Sequence, residues 1–477
     1  MPAWQRCLAM AARHNRRLCL AMCVTFAMAC RVGPRYVRPE INVPREYRGF
    51  DADTTEPGSL GDRKWSEVFR DDELQSLIKR ALEANYDVRV AAARVLQAQA
   101  QLTITRADQF PNVTGEVSAK HERTPASSIG GFSLPAANAN IYHIGANVSY
   151  EADFWQKFRS ATEAQRATLL ATRWAERAVL VNVVSMVAQG YFTLRELDLT
   201  LEIARRTVTA REESVRLTRL QEQVGTVSLV DVRESEQLLY NAQAVVTDAE
   251  RQIEQQENAI NVLLGRNPGP IPRGLPLVDQ PEPLEVPPGL PSRLLERRPD
   301  IRQAEFELVA ANAQIGVAKA ALYPQITLTG SGGVESNALS TLFSTPAMFW
   351  NITGDLLQQI YNAGKLKAAV RLSEAQKLEL VYTYRQTIQQ AFREVADALV
   401  AYQKLRILRG QLTQLVAATQ DAARLSDIRY RGGAASYLEV LTSQTSYFDA
   451  ELRLAQARLN ELVSLVQLYA ALGGGWE

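Results

Sequence analysis

The chain has 477 residues and few side chains suited to covalent chemistry. Beyond the first 29 residues its only histidines are His121 and His143, and no cysteine stands near them. It has no HExxH, no Gly-rich phosphate loop and no GxSxG, so the expectation is a protein that is not an enzyme and needs no cofactor. Polar chemistry gathers instead around two short breaks. "EQVGTVSLVDVR" starts at Glu222 and "YRGGAASYLEVL" at Tyr430, 208 positions on. Small residues make each break: Val224, Gly225, Thr226, Val227 and Ser228 in one, Gly432, Gly433, Ala434, Ala435 and Ser436 in the other. Asp231 follows the first break. Arg429, Tyr430 and Arg431 precede the second, and Leu438 and Glu439 follow it. Taken alone, each break is a tight αα turn with Gly at the pivot. Ser228 or Ser436 can cap the returning helix, and Asp231 suits its first turn.

The other chemical candidate is Cys30. Arg6, Arg13, Arg16 and Arg17 form a basic start, and Leu18 to Ala29 is an apolar run that ends small at Ala29-Cys30. That is the layout of a secretory signal over residues 1–29, and the run is too short to span a bilayer. Cys7, Cys19 and Cys23 leave with the signal, so Cys30 is the sole cysteine of the mature chain and pairs with no internal partner. A thiol at a mature N-terminus is where a bacterial lipoprotein carries its lipid anchor. The preceding Ala27-Met28-Ala29 departs from the usual box, which has a Leu three residues before the Cys. No other uninterrupted apolar run is long enough for a transmembrane helix. Loss of the signal's four Arg leaves 49 basic against 52 acidic residues. This balance gives no basic stripe for nucleic acid.

The elements that carry these residues are written twice. "DVRVAAARVLQAQAQL" from Asp87 pairs with "DIRQAEFELVAANAQI" from Asp300 at an offset of 213. From Lys157 on Lys365 the offset is 208, and it persists to Leu264-Gly265 on Leu472-Gly473. No Pro occurs between Pro135 and Pro268 or after Pro346. Apolar residues recur at steps of three and four, as in Val187, Tyr191, Leu194, Leu197, Leu201, Ala204 and Val208. Each copy therefore predicts a helix of roughly 100 Å that turns at the break and returns over roughly 55 Å, a length no compact domain reaches.

Between the helices lie period-2 segments. Val113, Val117, Ile144, Val148, Ile326, Leu328, Trp350 and Ile352 alternate with polar neighbours. The connections, His121 to Asn140 and Glu335 to Thr345, are polar and small, and no amphipathic helix is left over to cover the sheet. Four strands cannot close a spanning barrel, which needs at least eight, whereas three copies supply twelve. The predicted fold is mainly α with a small β part. It is a tandem repeat whose long helical hairpins form a trimeric α-barrel and whose four strands per chain join a twelve-stranded β-barrel. The expected division is an extended N-terminus over 30–62, repeat 1 over 63–265 (β-hairpin about 111–153, helical hairpin about 157–264), a Pro-rich linker over 266–298, repeat 2 over 299–473 (about 324–356 and 365–472) and a tail over 474–477.

"CRVGPRYVRPE" after the signal, "LLERRPDIRQAE" from Leu294, "ALYPQITLTGS" from Ala321 and the two breaks carry a family likeness. The chain resembles the TolC-type outer-membrane efflux channels, in particular the lipoprotein (NodT-like) branch that serves resistance-nodulation-division pumps. The resemblance implies a homotrimeric exit duct in the outer membrane of a Gram-negative bacterium. Such a duct reaches into the periplasm and works with a periplasmic adaptor protein and an inner-membrane resistance-nodulation-division transporter. It implies lipid on Cys30, adaptor contact at the tips Val224 to Ser228 and Gly432 to Ser436, and a periplasmic gate at Tyr430, Asp231, Arg429, Arg431, Leu438 and Glu439. In the family a Tyr and an Asp at the positions of Tyr430 and Asp231 bond and hold the closed state. Leu438 and Glu439 would ring the narrowest point. Thr442 stands where members often place a second acid. The competing reading, a secreted periplasmic coiled-coil scaffold, accounts for the helices but not for the strands.

Overall fold

The computed structural model describes residues 32–44, 47, 59–129, 132–281 and 291–476. The expected signal and Cys30 lie outside them. In chain order the principal elements are α1 (Asp72–Ala84), α2 (Tyr86–Ala107), β1 (Asn112–Thr124), β2 (Ser127–Ile129), β3 (Phe132–Leu134), β4 (Ala137–Glu151), α3 (Lys157–Gln223), α4 (Leu229–Leu263), α5 (Pro291–Arg297), α6 (Pro299–Ala320), β5 (Gln325–Ser336), β6 (Met348–Leu357), α7 (Lys365–Arg431) and α8 (Tyr437–Ala471). The chain divides into two compact units. One holds the sheet, with described residues up to Pro39, Leu96–Ala171 and Glu305–Thr383; the other holds Glu40–Val95, Thr172–Ala304 and Tyr384–Glu477.

In the first unit the strands form one antiparallel sheet in the order β1-β4-β5-β6. Its register aligns the alternation across all four strands. Val117 faces Ile144, Ile144 faces Val334 and Val334 faces Met348; likewise Val113, Val148, Gly330 and Ile352 share a row. On the opposite face Thr114, Asn147, Ser331 and Asn351 share another. The apolar face is bare: Val117, Trp350 and Ile352 are each more than three-quarters exposed. Strands β1 and β6 each leave one edge unpaired within the chain.

The connection expected over His121–Asn140 is shorter than the polar composition suggests. The β1–β4 ladder runs out to Thr124 opposite Ala137, and β2 pairs with β3 beyond it. Backbone pairing needs no apolar side chain, so a ladder continues past the segment whose hydropathy marks it. The β5–β6 connection also tightens, with 3-10 turns at Leu339–Thr341 and Thr345–Ala347 and Leu342 buried.

In the second unit the long helices pack through a core that includes Val183, Val187, Tyr191 and Leu194 of α3. Among the described residues α3 alone is long and apolar enough to cross a membrane, but these residues spend its apolar character on that core. Phe69 anchors the base, its ring edge-on to Phe192 at 6.4 Å and to Tyr469 at 5.9 Å. α3 and α7 each have 67 residues, and α4 and α8 each have 35.

Candidate functional site at the hairpin tips

Each tip is built first by backbone. At the end of α3, Gly225 has φ +76° and its N–H donates to Glu222 O, while Thr226 N–H donates to Gln221 O, both at 2.9 Å. At the end of α7, Gly433 has φ +75° and its N–H donates to Tyr430 O, while Ala434 N–H donates to Arg429 O, again both at 2.9 Å. This is a helix stop with a left-handed residue just past the end, the conformation Gly adopts without a Cβ penalty. A Cβ on either Gly would meet no atom within 4 Å, so the demand there is conformational and the surface around both pivots is open.

The returning helices start differently. Ser228 caps α4 in a reciprocal box: its hydroxyl oxygen accepts from Asp231 N–H, and the Asp231 carboxylate accepts from Ser228 N–H at 2.8 Å. Ser436 makes no side-chain cap bond. Glu439, three residues on, pairs instead with Arg429 at 3.2 Å, and that guanidinium also donates to Ala434 O at 3.2 Å. Arg431 pairs with Asp427 at 2.9 Å. Leu438 is 58% exposed.

The expected bond from Tyr430 to Asp231 is not made within the chain. The Tyr430 hydroxyl donates to Gln221 Oε1 at 3.1 Å, while Asp231 is held by its own cap. A short carboxylate bonded to its N-cap lies back against the turn, whereas the longer Gln221 reaches across from α3. Next to this bond the Tyr430 ring meets Tyr437 at 5.2 Å. Tyr437 is buried, and its oxygen accepts from the Ser235 hydroxyl at 3.0 Å. Burial pushes the Tyr437 hydroxyl up, so it stays neutral at physiological pH. Further from the tip, Arg211 is buried with its guanidinium over the Phe448 ring at 5.3 Å, and Arg206 pairs with Glu451 at 2.5 Å. The α3–α4 hairpin is thus tied to the α7–α8 hairpin by a ladder of contacts that ends in the Tyr430–Gln221 bond.

At the opposite end of the same helices is a second feature that the sequence reading left unassigned. Asn85 Nδ2 donates to Leu263 O at 2.9 Å, closing repeat 1. Arg298, at the position equivalent to Asn85, donates to Ala471 O at 3.0 Å, and Ala471 is equivalent to Leu263. Arg298 also donates to Asp300 and Glu394, each at 2.7 Å. Burial pushes this guanidinium down, and the bonds to Asp300 and the nearby Glu394 outweigh it. This is the physical content of the "ERRPDIR" stretch: Pro299 opens α6, Asp300 sits in its first turn, and Arg298 fastens α6 to the end of α8.

A sheet with a bare apolar face and open edges, in a chain that also has helical hairpins of this length, defines an outer-membrane channel subunit. The chain belongs to the outer membrane efflux protein family, whose pattern matches residues 77–266 and 290–474. It is 33% identical over 461 residues to the cation efflux system protein CusC of Escherichia coli O6:H1, covering 96% of this chain and 98% of that one. It is 36% identical over 465 residues to the probable efflux pump outer membrane protein TtgC of Pseudomonas putida, covering 96% and 95%. Among solved structures it superposes on the open state of the Neisseria gonorrhoeae MtrE outer membrane channel with a TM-score of 0.85 at 31% identity, over 94% of this chain and 99% of that one. It matches a CusC crystal structure with a TM-score of 0.84 at 32% identity, over 94% and 100%. The protein is an outer-membrane efflux channel that extends into the periplasm, and the scaffold reading lapses.

Proposed function

We propose that three copies form the working duct, with β1 of each pairing to β6 of the next to close one twelve-stranded barrel. The observation that carries this is the four-stranded sheet with one continuous apolar face and an open edge at each side. Exposed ladder groups cannot stay unpaired in a bilayer, and neighbouring copies offer complementary edges. The helical hairpins then surround an aqueous path through the periplasm, and small molecules leave along it passively. The tips Val224 to Ser228 and Gly432 to Ser436 dock a periplasmic adaptor, which couples the duct to an inner-membrane resistance-nodulation-division transporter. Cys30 carries lipid as a secondary anchor, since one acyl chain binds membranes only marginally.

The gate is the tip ladder. Tyr430 on Gln221 and Tyr437 on Ser235 hold the second hairpin against the first. Arg429 on Glu439 and Arg431 on Asp427 stiffen the second tip, and Leu438 narrows it. Asp231 serves by holding the first tip's turn. Adaptor docking opens the duct by drawing the second tip away from the first.

Assembly is tested by Val148→Arg, a charge on the apolar face, against Asn147→Arg on the other. Val148→Arg is expected to weaken insertion by about 2–4 kcal/mol if it lies near the midplane. Heat-modifiable trimer in outer-membrane fractions should fall for Val148→Arg and persist for Asn147→Arg. Equal loss in both, or a soluble monomer in the unmodified protein, contradicts the reading.

A further inference from the structure

The polar face of the sheet carries one hydrocarbon ring. Strand parity places Phe349 with Asn351, Thr353 and Asp355, opposite Met348, Trp350 and Ile352. The register puts Glu116, Gly145, Gly333 and Phe349 in a single row across all four strands. The two glycines leave the middle of that row without side chains, and the ring occupies part of the space. A Cβ on Gly145 would lie 3.4 Å from Phe349 Cζ and 2.8 Å from His143 Nε2. The His143 ring is 5.2 Å from the Phe349 ring and tilted by 35°, and His143 Nδ1 lies 3.1 Å from Glu335 Oε2. The row therefore holds a carboxylate at one end, a glycine floor, and a phenyl ring lying towards that floor, with an imidazole–carboxylate pair at its side.

Charge on this face has one dominant sign. Its strand positions carry Glu116, Glu122, Glu151, Glu335 and Asp355 against Lys120. Lys120 is taken up by Glu122, and Lys157 by Glu151. Glu116 and Asp355 have no Lys or Arg partner among the described residues. On the opposite face the strands carry no acid, and Arg123 near the end of β1 is their one Lys or Arg. A low-polarity ring beside the His143–Glu335 pair, on a face of net negative charge, attracts a particular chemistry. A cation gains over the ring face and from the carboxylates, while an anion or a neutral polar solute gains neither.

We propose that the Phe349 ring, with His143 and Glu335 beside it, is a transit binding site for organic cations; the proposal rests on the polar face of the sheet lining the bore. Each contact is weak, which suits conduction: a solute must bind well enough to enter and loosely enough to leave. The test is current through the purified protein in planar bilayers, with benzyltrimethylammonium as the probe and benzyl alcohol as its uncharged counterpart. The ammonium is expected to interrupt the current and the alcohol not to. Phe349→Leu should weaken the interruption roughly two- to five-fold, the range for a ring–cation contact at an exposed site. Glu335→Gln should weaken it further, Phe349→Tyr should keep it, Asn351→Ala should leave it unchanged, and Glu116→Gln, three strands away, should change it less than Glu335→Gln. Equal interruption of the unmodified and Phe349→Leu channels, or equal interruption by the alcohol, overturns the site. Conductance that ignores a charge placed at Asn351 and at Asn147 overturns the bore-facing assignment itself, whatever the probe does.

Discussion

The two repeats share their backbone and part company in their side chains. The long helices match in length, and the left-handed glycines at the tips fall at equivalent positions. The tip of repeat 1 satisfies itself, with Ser228 and Asp231 bonding each other across the turn. The tip of repeat 2 has no side-chain cap bond: Arg429 ties its own turn through Glu439 and Ala434 O, and Tyr430 reaches out to Gln221 of the first hairpin. At the other end the clasps differ in kind. Repeat 1 is closed by a neutral amide, Asn85, and repeat 2 by a buried cation, Arg298, with two carboxylates. The lesson is a division of labour. Repeat 1 is finished locally at its tip. Repeat 2 is fixed firmly at its base and depends, at its tip, on what it holds.

Four expected outcomes sharpen this contrast. The largest is at the charged clasp. Arg298→Met should destabilise by about 3 kcal/mol, the low end of the range for breaking a buried pair, because Asp300 and Glu394 keep some water. Thermal unfolding and trimer yield both report it. Next comes Asp71, a buried carboxylate that binds the linker at Leu275 and Gln280 and accepts the Tyr191 hydroxyl at 3.0 Å. Burial pushes its carboxyl up, but the hydrogen bonds from Gln280, Leu74, Tyr191 and Leu275 outweigh that and hold it below the usual carboxylate range. A depressed folded value means stability that is fully present above the unfolded value and lost as pH falls through the folded one. Asp71→Asn should cost about 2 kcal/mol at neutral pH and less in acid, which a pH series of urea midpoints would show.

A smaller loss is expected at the neutral clasp. Asn85→Ala should cost about 1–2 kcal/mol, since it removes the bond to Leu263 O and the cap on Asp87 and Val88 N–H. If it costs as much as Arg298→Met, the clasps are not of different kinds. The smallest difference is at the tips. Ser228→Ala should cost about 1 kcal/mol, and Ser436→Ala should stay within about 0.5 kcal/mol. Hydrogen exchange in the first turns of α4 and α8 separates them, and equal deprotection in both would erase the contrast.

Much of the fold was legible because duplication and periodicity are local signals. The two breaks, the absence of Pro from the long helices and the alternation of Val113, Val148 and Ile352 each point to an element without knowledge of its neighbours. The candidate site was half legible. The residues around the tips could be chosen from their position beside the breaks, but their partners could not. Gln221 lies 209 positions from Tyr430, and nothing in a run of helical residues marks which of them faces another hairpin. A signal did exist where the copies diverge. Arg429 stands opposite Gln221 and Tyr437 opposite Leu229, and those replacements mark where the second tip gained contacts the first lacks. Arg298 was hidden for a related reason: a basic residue before Pro-Asp reads as a helix start, and its burial is decided by the end of α8.

We propose that the neutral Tyr430–Gln221 bond, rather than an acid at Asp231, holds the tips closed. Single-channel conductance of Gln221→Ala and Asp231→Ala, compared at matched trimer levels, tests it most directly. Gln221→Ala and Tyr430→Phe are both expected to raise conductance, while Asp231→Ala is expected to loosen the first turn of α4 and leave the conductance near that of the unmodified channel. An Asp231→Ala channel that opens while Gln221→Ala stays shut would contradict it.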